Sequence, residues 1–213
     1  MDAAEIYAWL TNSDSPAISF DAHVVASVLA LSIAETRPRG VALSEATGLT
    51  AAETIALATD VLPQALPLLA SQESLADVVL PEDERCLREL LSRFTTHGTA
   101  LERNLAALIS RRSLRPNHLW QDLGLRSRAE LTELMNRHFW PLARRNANGM
   151  KWKKFLYRMI CRDEGFRLCT APSCAECDDF TACFNDESGE SLLARNRRDA
   201  ERQAQTWFQI LPV

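Results

Sequence analysis

A chain of 213 residues with 46% hydrophobic content can bury a core of its own, which excludes a small scaffold dependent on crosslinks or metal for folding. Only seven glycines, little β-branched alternation, and an abundance of Ala, Leu, Arg and Glu argue for helices and against β architectures. The net charge of −4 hides an asymmetry: residues 1–110 hold 6 Lys/Arg against 15 Asp/Glu, residues 111–168 hold 14 against 5, and residues 169–213 hold 4 against 8.

In chain order, residues 4–11 read as a short helix broken by Thr-Asn-Ser-Asp-Ser-Pro16. Residues 21–35 form a strongly apolar helix, stopped by Arg37-Pro38-Arg39-Gly40. Thr50-x-x-Glu53 is a capping box that opens a helix to about Val61. Residues 62–80, with Pro63 and Pro67, are less regular. Pro81 followed by Glu82, Asp83 and Glu84 marks a helix start, with Leu87, Leu90, Leu91 and Phe94 on one face. After a break at His97-Gly98, Leu101, Leu105, Leu108 and Ile109 mark the next helix. Asn117 is placed to cap a short helix, and Ser127-x-x-Glu130 is a second capping box, with Leu131, Leu134 and Met135 behind it.

The segment 150–161 is a clear amphipathic helix. Trp152, Phe155, Leu156, Met159 and Ile160 share a face, and Lys151, Lys154, Arg158 and Arg162 form a stripe on another. The fold expected is all-α: an irregular multi-helix domain over 1–163, a cysteine-rich metal-binding loop over 164–185, and a C-terminal helix and tail over 186–213 packing on the same domain.

The opening MDAAEIYAWL carries acids where an export signal needs a basic start. The longest apolar run, 22–34, contains His23 and two serines and is too short to span a bilayer. The expectation is a cytoplasmic protein with no membrane partner. In that compartment thiols stay reduced, and clustered cysteines point to metal chemistry in place of disulfides.

Four of the six cysteines fall within Cys169-x4-Cys174-x2-Cys177-x5-Cys183. Thiolates are soft ligands suited to zinc and iron–sulfur clusters. One short loop with such spacing can fold around a metal centre, and Pro172 keeps the first gap from becoming helical. Structural zinc sites usually come as two Cys pairs set further apart. A plant-type ferredoxin shares the C-x4-C-x2-C run, but its fourth cysteine lies far downstream on a β-rich fold. A compact iron–sulfur site fits best, with zinc as the competing reading. The other two cysteines read blandly: Cys161 is an auxiliary thiol or a small buried hydrophobe, and Cys86 sits beside the Leu87 stripe.

The cysteine spacing, the preceding Met150-Lys-Trp-Lys-Lys-Phe-Leu-Tyr-Arg158 and the upstream His118-Leu-Trp-Gln-Asp-Leu-Gly-Leu125 together resemble the NifQ family of nitrogen-fixation proteins. The similarity is strongest over about residues 118–184 and weaker at Asp21-Ala-His-Val-Val-Ala-Ser-Val-Leu-Ala-Leu31. The resemblance implies a carrier and not an enzyme. Such a protein holds an iron–sulfur cluster that takes up molybdenum. It passes the molybdenum to the proteins assembling the nitrogenase iron–molybdenum cofactor, a scaffold complex and the iron protein. The family's metal motif maps onto Cys169, Cys174, Cys177 and Cys183. A three-iron cluster with an open corner would offer sulfides to a thiophilic metal, and delivery needs a replaceable ligand. Cys169 and Cys183, at the ends of the loop, have the most freedom for that part. The alternatives are a simple electron-transfer protein and an interaction protein with a structural four-cysteine zinc site.

Lys151, Lys154 and Arg158 read in two ways: as an auxiliary stripe that offsets cluster charge, attracts molybdate or docks an acidic partner, or as an ordinary solvated face. Glu176, Asp178 and Asp179 inside the loop would repel molybdate. His118 is a further auxiliary candidate. His138 reads as a core or capping residue, His23 as structural and His97 as exposed. No Gly-x-Ser-x-Gly elbow or phosphate-binding glycine loop occurs, and no nucleic-acid recognition motif accompanies the basic block.

Overall fold

The computed structural model describes residues 1–11, 18–70, 78–147 and 149–163, together with Arg195, Asn196 and Asp199. Among these residues there are helices and no strands. The expected cysteine loop over 164–185 and nearly all of 186–213 lie outside them.

The architecture is organised around α2 (Phe20–Thr36). Ser19 caps it, its hydroxyl accepting from the Ala22 N–H at 3.1 Å. Twelve of its residues are buried, on every side of the helix, so it is a central helix and not a surface one. A short 3-10 turn over Arg37–Arg39 ends it, and Gly40 takes the left-handed conformation (φ 62°). Against α2 pack α1 (Ala3–Thr11), which buries Ile6 and Leu10, and α3 (Leu43–Thr47). Burial of each such aliphatic side chain contributes roughly 1.5–3 kcal/mol.

The Thr50 capping box forms as expected and opens α4 (Ala51–Val61): the Thr50 hydroxyl accepts from the Glu53 N–H, and the Glu53 carboxylate accepts from the Thr50 N–H at 2.8 Å. The region 62–70, expected to be less regular, holds a 3-10 turn at Pro63–Ala65 and α5 (Leu66–Ala70). Pro67 is tolerated there because the first turn of a helix has no intrahelical partner for its N–H.

Pro81 precedes α6 (Glu82–Arg93), and a second capping box, Thr99 with Glu102, opens α7 (Ala100–Ser113); these two helices pack on each other. Next come α8 (Leu119–Asp122), α9 (Arg128–His138), α10 (Trp140–Ala143) and α11 (Trp152–Asp163). At α9 the box read from Ser127 and Glu130 is only half made. The Ser127 hydroxyl accepts from the Glu130 N–H at 3.3 Å, but the Glu130 carboxylate turns to the Arg126 N–H at 2.8 Å and to His23.

Helix α8 meets α2 through Gly124. Its φ is 72°, and a Cβ there would stand 2.9 Å from Leu31 Cδ1 and 3.0 Å from the Ser27 carbonyl oxygen. Only glycine fits this approach without displacement. Helix α11 packs against α6, with Trp152, Phe155, Leu156 and Met159 buried as their spacing predicts.

Candidate metal centre

Cys169, Cys174, Cys177 and Cys183 lie outside the described residues, as does the side chain of Cys161, whose backbone belongs to α11. Among the described residues, no group of three or more His, Cys, Asp or Glu side chains is arranged to hold a metal ion. What can be built from the residues upward is the helix that leads into the thiols and the frame that fixes it.

That frame starts at Glu35, near the end of α2. Arg112 is 1% exposed and grips the Glu35 carboxylate with both terminal nitrogens at 2.8 Å, and Arg115 adds a third contact at 2.9 Å. Burial works to raise the Glu35 pKa. The hydrogen bond and charge of Arg112, then Arg115 and Arg39, outweigh it and hold the carboxyl below its ordinary value. Arg112 Nε donates to the Asp122 carbonyl at 2.5 Å. The Asp122 carboxylate is buried and accepts from Asn117 Nδ2 at 3.1 Å and from Lys153 Nζ at 2.5 Å. Lys153 Nζ also donates to the carbonyls of Arg115 and Asn117. One polar chain thus runs α2, α7, α8, α11.

This chain joins the two sequence blocks that carry the family resemblance, since Asp122 belongs to His118–Leu125 and Lys153 to Met150–Arg158. Sequence reasoning singled out Lys151, Lys154 and Arg158 and gave Lys153 no role of its own. The structure makes Lys153 the anchor. The only signal available beforehand was opposite charge in two distant blocks, which does not specify a pairing.

The basic stripe is not a uniformly solvated face. Lys154 is 9% exposed, and Lys151 and Arg158 are half-buried. His118, not Asn117, takes the N-cap position of α8. Its N–H donates to Gln121 Oε1 at 3.1 Å, and its ring is half-buried. Cys86 is a half-buried thiol on α6.

The other histidines behave as the bland readings expect. His23 is buried, with Nδ1 2.7 Å from the Tyr7 hydroxyl and Nε2 3.3 Å from Glu130. Burial works to raise the Glu130 pKa, but the Arg126 N–H, His23 and the Arg126 charge together lower it. His138 sits between two carboxylates, with Nε2 2.9 Å from Asp21 and Nδ1 4.0 Å from Glu102. Glu102 is fully buried and accepts from the N–H groups of His97 and Thr99. The Asp21-Ala-His23 segment therefore seats the start of α2 on α9. His97 is exposed.

Scaffold and sequence together define a helical protein in which a four-thiol segment follows α11 in the sequence. The chain belongs to the NifQ family, whose model matches residues 24–185. It is 38% identical over 178 residues to a protein named NifQ homolog from Sinorhizobium fredii, covering 82% of this chain and 76% of that one. It is also 46% identical over 112 residues to Protein NifQ of Rhodobacter capsulatus, covering 51% of this chain and 62% of the relative. Over 81 residues it is 51% identical to Protein NifQ of Klebsiella pneumoniae, covering 38% of this chain and 48% of that one. No solved structure matches the chain. Its family name connects the protein to nitrogen fixation, as the sequence resemblance implied. No helix among the described residues is long and apolar enough to cross a membrane.

Proposed function

We propose that this protein is a carrier that takes up molybdenum and hands it to the proteins that build the nitrogenase iron–molybdenum cofactor. The observation that carries the reading is the extent of the family match, which runs to residue 185 and takes in Cys169, Cys174, Cys177 and Cys183. The donor set fits an iron–sulfur cluster: four soft thiolates on one short stretch, in a compartment that keeps them reduced. These four residues would hold it. When bound, the cluster supplies sulfide ligands to a thiophilic metal. Molybdenum is cargo, drawn from molybdate, and its receivers are the scaffold complex and the iron protein of cofactor assembly. The role is carriage, without catalytic turnover, and its place is the cytoplasm.

The scaffold's part is positional. Asp163, the last described residue of α11, stands six residues before Cys169 in the sequence. Lys153, at the start of α11, ties that helix to the end of α7 and to α8. Lys153 belongs to this frame, so a test of the basic helix for molybdate capture should reverse Lys151 and Lys154 and leave Lys153 intact.

The test is the metal content of protein purified without oxygen, with its visible and electron paramagnetic resonance spectra. Iron and molybdenum together support the carrier. Iron alone with reversible one-electron chemistry and no molybdenum uptake would place it among electron-transfer proteins. Zinc alone, with no chromophore, would overturn both. Serine at Cys174 or Cys177 is expected to abolish iron binding while circular dichroism shows unchanged helix content.

A further inference from the structure

The corner between α9 and α10 presents one large exposed aromatic side chain, with the exposed Arg137, Arg144 and Arg145 within five residues of it in the sequence. Trp140 is 52% exposed, unusual for a residue of that size, while its neighbours Phe139 and Leu142 are fully buried. Its backbone is pinned: the Trp140 N–H donates to Thr96 Oγ1 at 3.0 Å, and the Thr96 N–H donates to the His138 carbonyl at 2.9 Å. The main chain is thus fixed from below and the indole faces outward. Arg144 lies one helical turn on, its N–H donating to the Trp140 carbonyl at 3.0 Å, and its exposed side chain makes no ion pair among the described residues. Arg145 is exposed and lies over the Phe94 ring at 4.2 Å. Arg137, in the last turn of α9, lies over Phe20 at 4.4 Å, pairs with the Glu133 carboxylate one turn back, and is 49% exposed. Stacking on a ring orders a guanidinium before any ligand arrives, so less rotamer freedom is lost when it binds a carboxylate.

We propose that Trp140, Arg137, Arg144 and Arg145 form the docking surface for a protein partner that presents carboxylates around an apolar recess. Trp and Arg are the residue types that dominate binding energy at protein interfaces, and the pinned backbone removes most of the ordering cost. Charge complementarity selects the partner class. A nucleic acid is a poor fit, since three arginines neutralise few phosphates, no series of exposed aromatics follows the indole among the described residues, and the whole chain is acidic. A membrane is a poor fit, since α10 spans only Trp140–Ala143 and offers no amphipathic length.

The identity of the partner rests on the carrier reading, but the docking surface does not use the thiols. The experiment measures binding of the full-length protein, loaded and metal-free, to the purified scaffold complex and to the nitrogenase iron protein at several salt concentrations. Trp140→Ala and Arg144→Glu are each expected to weaken binding to one of them at least about tenfold. Affinity should fall with rising salt, while metal content and melting temperature stay at parental values. Arg144→Glu changes only an exposed side chain, so a folding defect cannot imitate the result. Binding that the parent shows and these variants lose, while the parent itself moves no molybdenum, supports the surface and overturns the carrier. Equal binding of parent and variants, or no binding by the parent, overturns the surface. Self-association, or binding to a single-stranded oligonucleotide or to phosphatidylserine vesicles, also overturns it if that is what depends on Trp140 and Arg144 and protein binding does not.

Discussion

The first 110 residues are acidic and the next 58 are basic, and the two regions use their charge differently. The acids of the first region that are drawn inward meet partners from the second: Glu35 with Arg112 and Arg115, Glu84 with Arg111 at 2.7 Å, and Asp21 and Glu102 with His138. Within the basic region the buried pair is Lys153 with Asp122, and Arg126–Glu130 and Arg137–Glu133 pair along α9 nearer the surface. Much of an asymmetry that in sequence suggests an external polyanion is therefore consumed in holding helices together. What remains outward on α9 and α10, Arg144 and Arg145 beside Trp140 with the Glu133-paired Arg137 next to them, is small and local. The lesson is that a charged block signals a ligand only after its internal pairings are subtracted.

The largest break of this comparison is Arg112→Ala. It removes two of the three guanidinium contacts of Glu35, frees the Asp122 carbonyl and leaves a cavity at a residue 1% exposed. A loss of about 3–5 kcal/mol in urea unfolding is expected. A loss under about 1 kcal/mol would show that the two regions are held by apolar packing alone. Lys153→Met keeps the apolar stem but leaves the Asp122 carboxylate buried and unpaired, and should cost about 3 kcal/mol. Pairing it with Asp122→Leu in a double-mutant cycle should return a coupling of about 1–3 kcal/mol. Gly124→Ala follows. The left-handed backbone costs about 1–2 kcal/mol and the approach to Leu31 and Ser27 adds to it.

Smaller is the pH dependence. Glu35 and Glu130 have folded pKa values below their ordinary 4.5. Their contribution is present above the unfolded value and is lost as pH falls through the folded values. Stability should therefore decline on the acid side of pH 4.5, and the curves of the parent and Glu35→Gln should converge there. At the small end, Arg144→Glu should change stability by no more than about 0.5 kcal/mol, as expected for an exposed side chain.

Much of the helical frame was legible because its signals are local. Thr50 with Glu53, Pro81 with its following acids, and the stripe from Leu87 to Leu91 each complete their pattern within a turn or two. Helices α3, α5 and α10 span four or five residues and were not foreseen, because so short a run shows no full period of apolar spacing. The Ser127 box failed by half for a tertiary reason: Glu130 had a better use in the Arg126 N–H and His23.

The sequence by itself determined the helical class, the Thr50 capping box and the buried face of α11, since each depends on residue type at short spacing. Only the tertiary structure decided that Lys153 anchors while Lys154 is buried, that Asp21 and His23 clamp α9, and which arginines are left facing outward. An ion pair across 31 residues, such as Lys153 with Asp122, depends on how helices pack, and no local pattern encodes that.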